Sequence, residues 1–108
     1  MKDSTDLQLS HEMFYEDVCY FDKVASRQVE LLNNENIGVR VDYPDFTSLG
    51  VWQAKDAPFL CIEPWCGSAD FDDCSGVFAE KRGIEILAPG AEKTFTYAIT
   101  AVEHKAKV

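Results

Sequence analysis

Hydrophobic and polar residues alternate along much of this chain with a period of two. Residues 94–101 show it most cleanly, with Phe95, Tyr97, Ile99 and Ala101 on one side and Thr94, Thr96, Ala98 and Thr100 on the other. This is the pattern of a half-buried strand. Residues 37–43 repeat it, setting Val39, Val41 and Tyr43 against Arg40 and Asp42. Apolar and β-branched residues predict further strands over 26–32, 49–54 and 83–87, and a short one over 18–21. Trp52 falls on the face opposite Val51. Residues 59–63 form an apolar run bounded by Pro58 and Pro64, with Phe59, Cys61 and Glu63 on one face and Leu60 and Ile62 on the other. Pro64 biases Glu63 toward an extended backbone.

Turn chemistry separates these runs. Asn33-Asn34-Glu35-Asn36 followed by Gly38, Pro44-Asp45-Phe46-Thr47, Lys55-Asp56-Ala57-Pro58 and Pro89-Gly90 all carry residues that favour turns or tolerate left-handed backbone. The one helical signal is Ser10 as a cap for a brief helix over 11–17, with Glu12, Glu16 and Asp17 nearby. Residues 66–75 hold Gly67, three aspartates and two serines and predict a long loop beside Glu63, a suitable wall for a cleft. Polar ends over 1–9 and 103–108 complete a single domain spanning 1–108. The expected fold is all-β, an antiparallel β-sandwich with at most one short helix.

The densest chemistry lies in Leu49-Gly50-Val51-Trp52 and Cys61-Ile62-Glu63-Pro64-Trp65. An apolar strand here ends on a carboxylate, and an unpaired buried charge is very costly, so Glu63 must be paired, solvated or functional. The two tryptophans offer an apolar platform with a polar edge, which suits a sugar ring. From residue types alone, a strand-end carboxylate hydrogen-bonded to a neighbouring loop, with tryptophans in packing roles, explains the same pattern.

The string LGVW…APFLCIEPWCGSAD resembles the C-terminal motif of the aldose 1-epimerases, the galactose mutarotase-like sugar epimerases. His11-Glu12-Met13-Phe14, Tyr20-Phe21-Asp22, Ser26-Arg27 and Val29-Glu30-Leu31 resemble the stretch before that motif. Residues 83–92, GIEILAPGAE, resemble the turn after it, and 94–99 the last strand. The likeness runs from about residue 9 to 102 and corresponds to the C-terminal third of such enzymes. It implies part of a large twisted β-sandwich, with sheet edges and one apolar face left for self-association or for a partner chain that supplies further strands.

The resemblance also implies a hexose substrate, interconverted between α and β anomers by acid–base catalysis. Glu63 matches the family's catalytic base; Trp65, Trp52, Asp70 and Arg40 are the implied substrate-binding residues, with Asp22 a further cleft candidate. The alternative is a non-catalytic carbohydrate-binding module or a truncated remnant that self-associates. Two departures bear on the choice. The family's histidine-bearing segments have no counterpart in this sequence, whose two histidines are His11 and His104, and Cys66 stands where the family commonly has an aromatic residue.

Composition narrows the partners. Asp+Glu 19 against Lys+Arg 10 gives a net charge of −9, which disfavours nucleic acid and anionic membranes, since phosphates demand a basic patch. Residues 1–6 show no apolar leader, and no stretch approaches membrane-span length. The expected location is therefore cytoplasmic. Cys19, Cys61, Cys66 and Cys74 lack zinc-knuckle spacing and are expected to be free thiols. No metal or other cofactor is expected.

Overall fold

The structure is a computed structural model that describes residues 6–22, 24–69 and 72–104. Its described residues form six strands: β1 (Cys19–Phe21), β2 (Gln28–Leu32), β3 (Ile37–Asp42), β4 (Ser48–Trp52), β5 (Cys61–Trp65) and β6 (Ala98–Glu103). They make two three-stranded antiparallel sheets, one ordered β1-β4-β5 and the other β2-β3-β6. The fold is all-β. Among the described residues the only helical pieces are single 3₁₀ turns at Glu12–Phe14 and Phe78–Glu80.

The two sheets meet through a small apolar core of Phe14, Val41, Tyr43, Leu49 and Val51. Burying a Val, Leu or Phe side chain contributes about 1.5–3 kcal/mol. The register lines apolar residues up across each sheet, although Ile99 and Ala101 of β6 remain exposed. Val29 and Leu31 stand opposite Val41 and Val39, which in turn stand opposite Ile99 and Ala101. In the other sheet, Cys19 and Phe21 stand opposite Val51 and Leu49, which face Ile62 and Pro64. Among the described residues Tyr43, just past β3, is the one fully buried large side chain, at 1% exposure.

The β2–β3 hairpin forms because Asn33 supplies a local substitute for backbone pairing. Its side-chain oxygen accepts the N–H groups of Glu35 and Ile37, at 2.9 and 3.0 Å. Asn36 takes the left-handed conformation, φ 63°, as Asn does more readily than most residues. Its carbonyl accepts the N–H of His104 at 3.0 Å, tying the end of β6 to the turn. Pro64 sits within β5, which is an edge strand; a proline lacks the N–H that a central strand requires.

Four expectations need correction. The strand expected over 94–101 lies instead over Ala98–Glu103, where it pairs with β3, and the apolar residues Tyr97 and Ile99 are exposed rather than inward. The helix over 11–17 is only the 3₁₀ turn at Glu12–Phe14, with no side-chain cap; the N–H of Ser10 instead points at Met13 Sδ, 3.4 Å away. Residues 83–87 form no strand: Ile86 and Leu87 are exposed, with no neighbouring strand to pair them. The strand expected over 59–63 lies over Cys61–Trp65 instead: its partner β4 ends at Trp52, in register with Cys61, and the strand continues through Pro64; the Phe59 carbonyl is taken by the Gln53 side chain at 2.8 Å. The ends 1–5 and 105–108 lie outside the described residues.

Candidate functional site

Alternation fixes the face on which Glu63 stands. Leu49, Val51 and Ile62 pack in or against the shared core, so Ser48, Gly50, Trp52, Cys61, Glu63 and Trp65 point to the opposite, outer face of the β1-β4-β5 sheet. Tyr20 joins them, since it pairs with Gly50. Gly50 pairs on its other side with Glu63. A tyrosine and a glutamate therefore flank a glycine in one row across three strands.

The gap over Gly50 is filled by the Trp65 indole. A Cβ on residue 50 would fall 2.9 Å from Trp65 Cζ2. Lying there, the indole places Nε1 3.2 Å from Glu63 Oε2 and its ring 5.2 Å from that of Tyr20, tilted by 31°. An aromatic floor thus runs between a carboxylate and a phenol. Trp52 is on the same face, next to Cys61 in register, and packs edge-on against Phe59 at 6.5 Å.

The phenol end of the row carries a polar network. Tyr20 Oη lies 3.2 Å from both Asp22 Oδ1 and Ser48 Oγ, and the Ser48 hydroxyl is 3.3 Å from the same Asp22 oxygen. Arg82 Nη1 donates to Asp22 Oδ2 at 3.1 Å. Partial desolvation works against ionisation of Asp22. The bonds from Arg82, Tyr20 and Ser48 and the Arg82 charge outweigh it and hold the carboxyl below its usual range.

Arg82 arrives by an excursion of the chain. Residues 67–83 leave the end of β5 and return to the same place: a Cβ on Gly83 would fall 2.9 Å from the Gly67 nitrogen, and Ile84 packs beside Gly67. This loop contains its own cleft of about 390 Å³, lined among others by Asp73, Phe78 and Arg82. Glu63 does not line it.

Of the residues the sequence nominated, Glu63, Trp65 and Trp52 share this outer face, and Asp22 stands at its rim. Arg40 does not. It lies on the face of β3 opposite Val39 and Val41, away from the β1-β4-β5 sheet, and its Nε is bonded to Glu30 Oε2 at 3.3 Å. Asp70 lies outside the described residues. His104 Nε2 sits 3.0 Å from both Glu30 carboxylate oxygens, and His11 Nδ1 is 2.6 Å from Gln53 Oε1. Neither histidine bonds Glu63.

Tyr20, Ser48 and Arg82 were not nominated by the sequence. The alternation around Tyr20 hinted at its face, but its pairing with Gly50 is a long-range register. Among the described residues no group of three or more His, Cys, Asp or Glu side chains is placed to hold a metal ion, and the four cysteines are free thiols. No described helix is long and apolar enough to cross a membrane. No family model, curated protein or solved structure matches the chain.

Proposed function

We propose that the outer face of the β1-β4-β5 sheet acts on hexose sugars in the manner of an aldose 1-epimerase, with Glu63 as the base. The observation that carries this is the Glu63–Trp65 pair over Gly50: a carboxylate fixed at the edge of a flat aromatic floor. Interconverting anomers requires removal of the proton from the anomeric hydroxyl as the bond from the anomeric carbon to the ring oxygen breaks and the ring oxygen is protonated. The aldehyde turns, and closure from its other face reverses the transfers. A positioned carboxylate accelerates such proton transfer about 10²- to 10⁴-fold. The indole stacks on the apolar face of the sugar.

The second reading is a carbohydrate-binding module without catalysis. It is favoured by the placement of the histidines, both engaged away from Glu63. Polarimetry of freshly dissolved α-glucose and α-galactose, with the protein and with a Glu63→Gln variant, separates the two. Acceleration that the variant loses supports the enzyme. Saturable sugar binding without acceleration supports the module. No binding by the folded chain overturns both.

Association with further β structure, in the simplest case a second copy of this chain, belongs to the same proposal. An apolar groove of about 460 Å³ between the sheets, bordered by Val41, Ile62 and Pro64, remains open, with Tyr97 59% and Ile99 66% exposed along it. Apolar surface left open in this way commonly marks an interaction site. Sedimentation showing only a monomer at high concentration would remove this part.

A further inference from the structure

We infer that Tyr20 and Asp22 form the second polar pole of a site for one hexose ring, binding hydroxyls at the end of the aromatic floor opposite Glu63, and that Arg82 positions Asp22 for that task. The inference rests on the proposal that Glu63 and Trp65 receive a sugar; it adds Tyr20 and Arg82, which the sequence did not nominate, and gives the cleft candidate Asp22 a specific place and task.

The geometry is set by strand register. Tyr20 and Glu63 both pair with Gly50, so their backbones stand two strand spacings apart, about 10 Å. The floor between them is the Trp65 indole, in contact with both. A sugar resting on that floor has a face to stack and hydroxyls projecting from its rim in both directions. One rim meets Glu63. The other meets Tyr20 Oη and the Asp22 carboxylate.

The Asp22 carboxylate has capacity to spare. A carboxylate offers about four acceptor positions, and the bonds described for Asp22 come from Tyr20, Ser48 and Arg82. Asp22 and Arg82 retain partial exposure, 29% and 46% of their side chains, so the pole is open to a ligand. Arg82 contributes indirectly. Its bond fixes the orientation of the Asp22 carboxylate, an acceptor suited to sugar hydroxyls, and ties the chain beside Gly83 to the end of β1.

The test is titration of the ¹⁵N-labelled chain with glucose and galactose, following the indole N–H of Trp65, beside Tyr20→Phe, Asp22→Asn and Glu63→Gln variants. Tyr20→Phe keeps the ring on Trp65 and removes only the hydroxyl; a dispersed spectrum verifies that each variant is folded. The expected result is that the Trp65 signal shifts in the wild type and that Tyr20→Phe and Asp22→Asn each weaken binding about tenfold, the size of a lost ligand hydrogen bond. Binding by the wild type that Glu63→Gln weakens, with Tyr20→Phe and Asp22→Asn unchanged, overturns the second pole and leaves the Glu63 proposal standing. No shift with either sugar overturns both.

Discussion

Trp65 Nε1 stands 3.2 Å from Glu63 Oε2, two residues back on the same strand, and the indole lies over residue 50 because that residue has no Cβ. Ordinarily the side chain of a central strand would occupy that space. The packing of one glycine thus decides where the tryptophan lies and what the glutamate is bonded to.

Gly50→Ala tests this directly. The new methyl group collides with the end of a side chain rather than with backbone, so the indole should swing aside and the fold survive. Replacing Gly by Ala in a strand favours folding by roughly 0.5–1 kcal/mol, which offsets lost contacts. Net stability is expected to change by less than about 1 kcal/mol. The Trp65 indole N–H resonance should move, and intrinsic fluorescence should change as the ring leaves Tyr20 and Glu63.

Gly38→Ala should behave in the opposite way. A Cβ there would fall 1.8 Å from the Leu31 carbonyl oxygen and 3.0 Å from Leu32 Cα, both backbone atoms of the paired strand. Nothing flexible can yield, so the β2–β3 hairpin must shift. A loss of about 2–3 kcal/mol, the upper part of the overpacking range, is expected. Urea denaturation would measure it, and an unchanged midpoint would contradict the hairpin geometry.

Asp22 sets a pH dependence whose sign follows from its partners. Its carboxyl is held below the usual range in the folded chain, so it contributes stability that is fully present above the unfolded value of about 3.9. That contribution is lost as pH falls through the lower folded value. The effect should be small and salt-sensitive, because the Arg82 pair is partly exposed. At low salt, the stability of the wild type should drop more steeply below about pH 4 than that of Asp22→Asn; equal slopes would show that the pair contributes nothing.

The cysteines should differ in reactivity. Cys66 is half-buried, and desolvation together with the nearby Glu85 and Asp45 charges raises its thiol above the ordinary value, against smaller opposing effects of Thr47 and Lys93. Cys74, in the 67–83 loop, is exposed. Iodoacetamide at neutral pH should therefore label Cys74 well before Cys66, since only the thiolate reacts. Mass spectrometry of the labelled peptides reads the order.

Much of this was visible in local chemistry. The faces of residues 59–63 and 37–43 followed from alternation: Val41 and Tyr43 enter the core, and Leu60 and Ile62 pack against it. The Asn33–Asn36 turn was legible because its chemistry is contained within the turn itself. Residues 83–87 misled for the same reason. Their residue types favour a strand, but no partner strand is adjacent, and isolated strand propensity is weak.

The sequence by itself determined the all-β class, the hairpin turn and the alternation that puts Glu63 opposite Ile62. Those properties depend on neighbours within a few residues. Only the tertiary structure decided that Tyr20 and Glu63 share a row through Gly50, that Arg82 reaches Asp22 across 60 positions of chain, and that Arg40 is turned away toward Glu30. Cross-strand register and loop closure bring together residues far apart in sequence, so the periodicity of a single segment carries no record of which residue will stand opposite it.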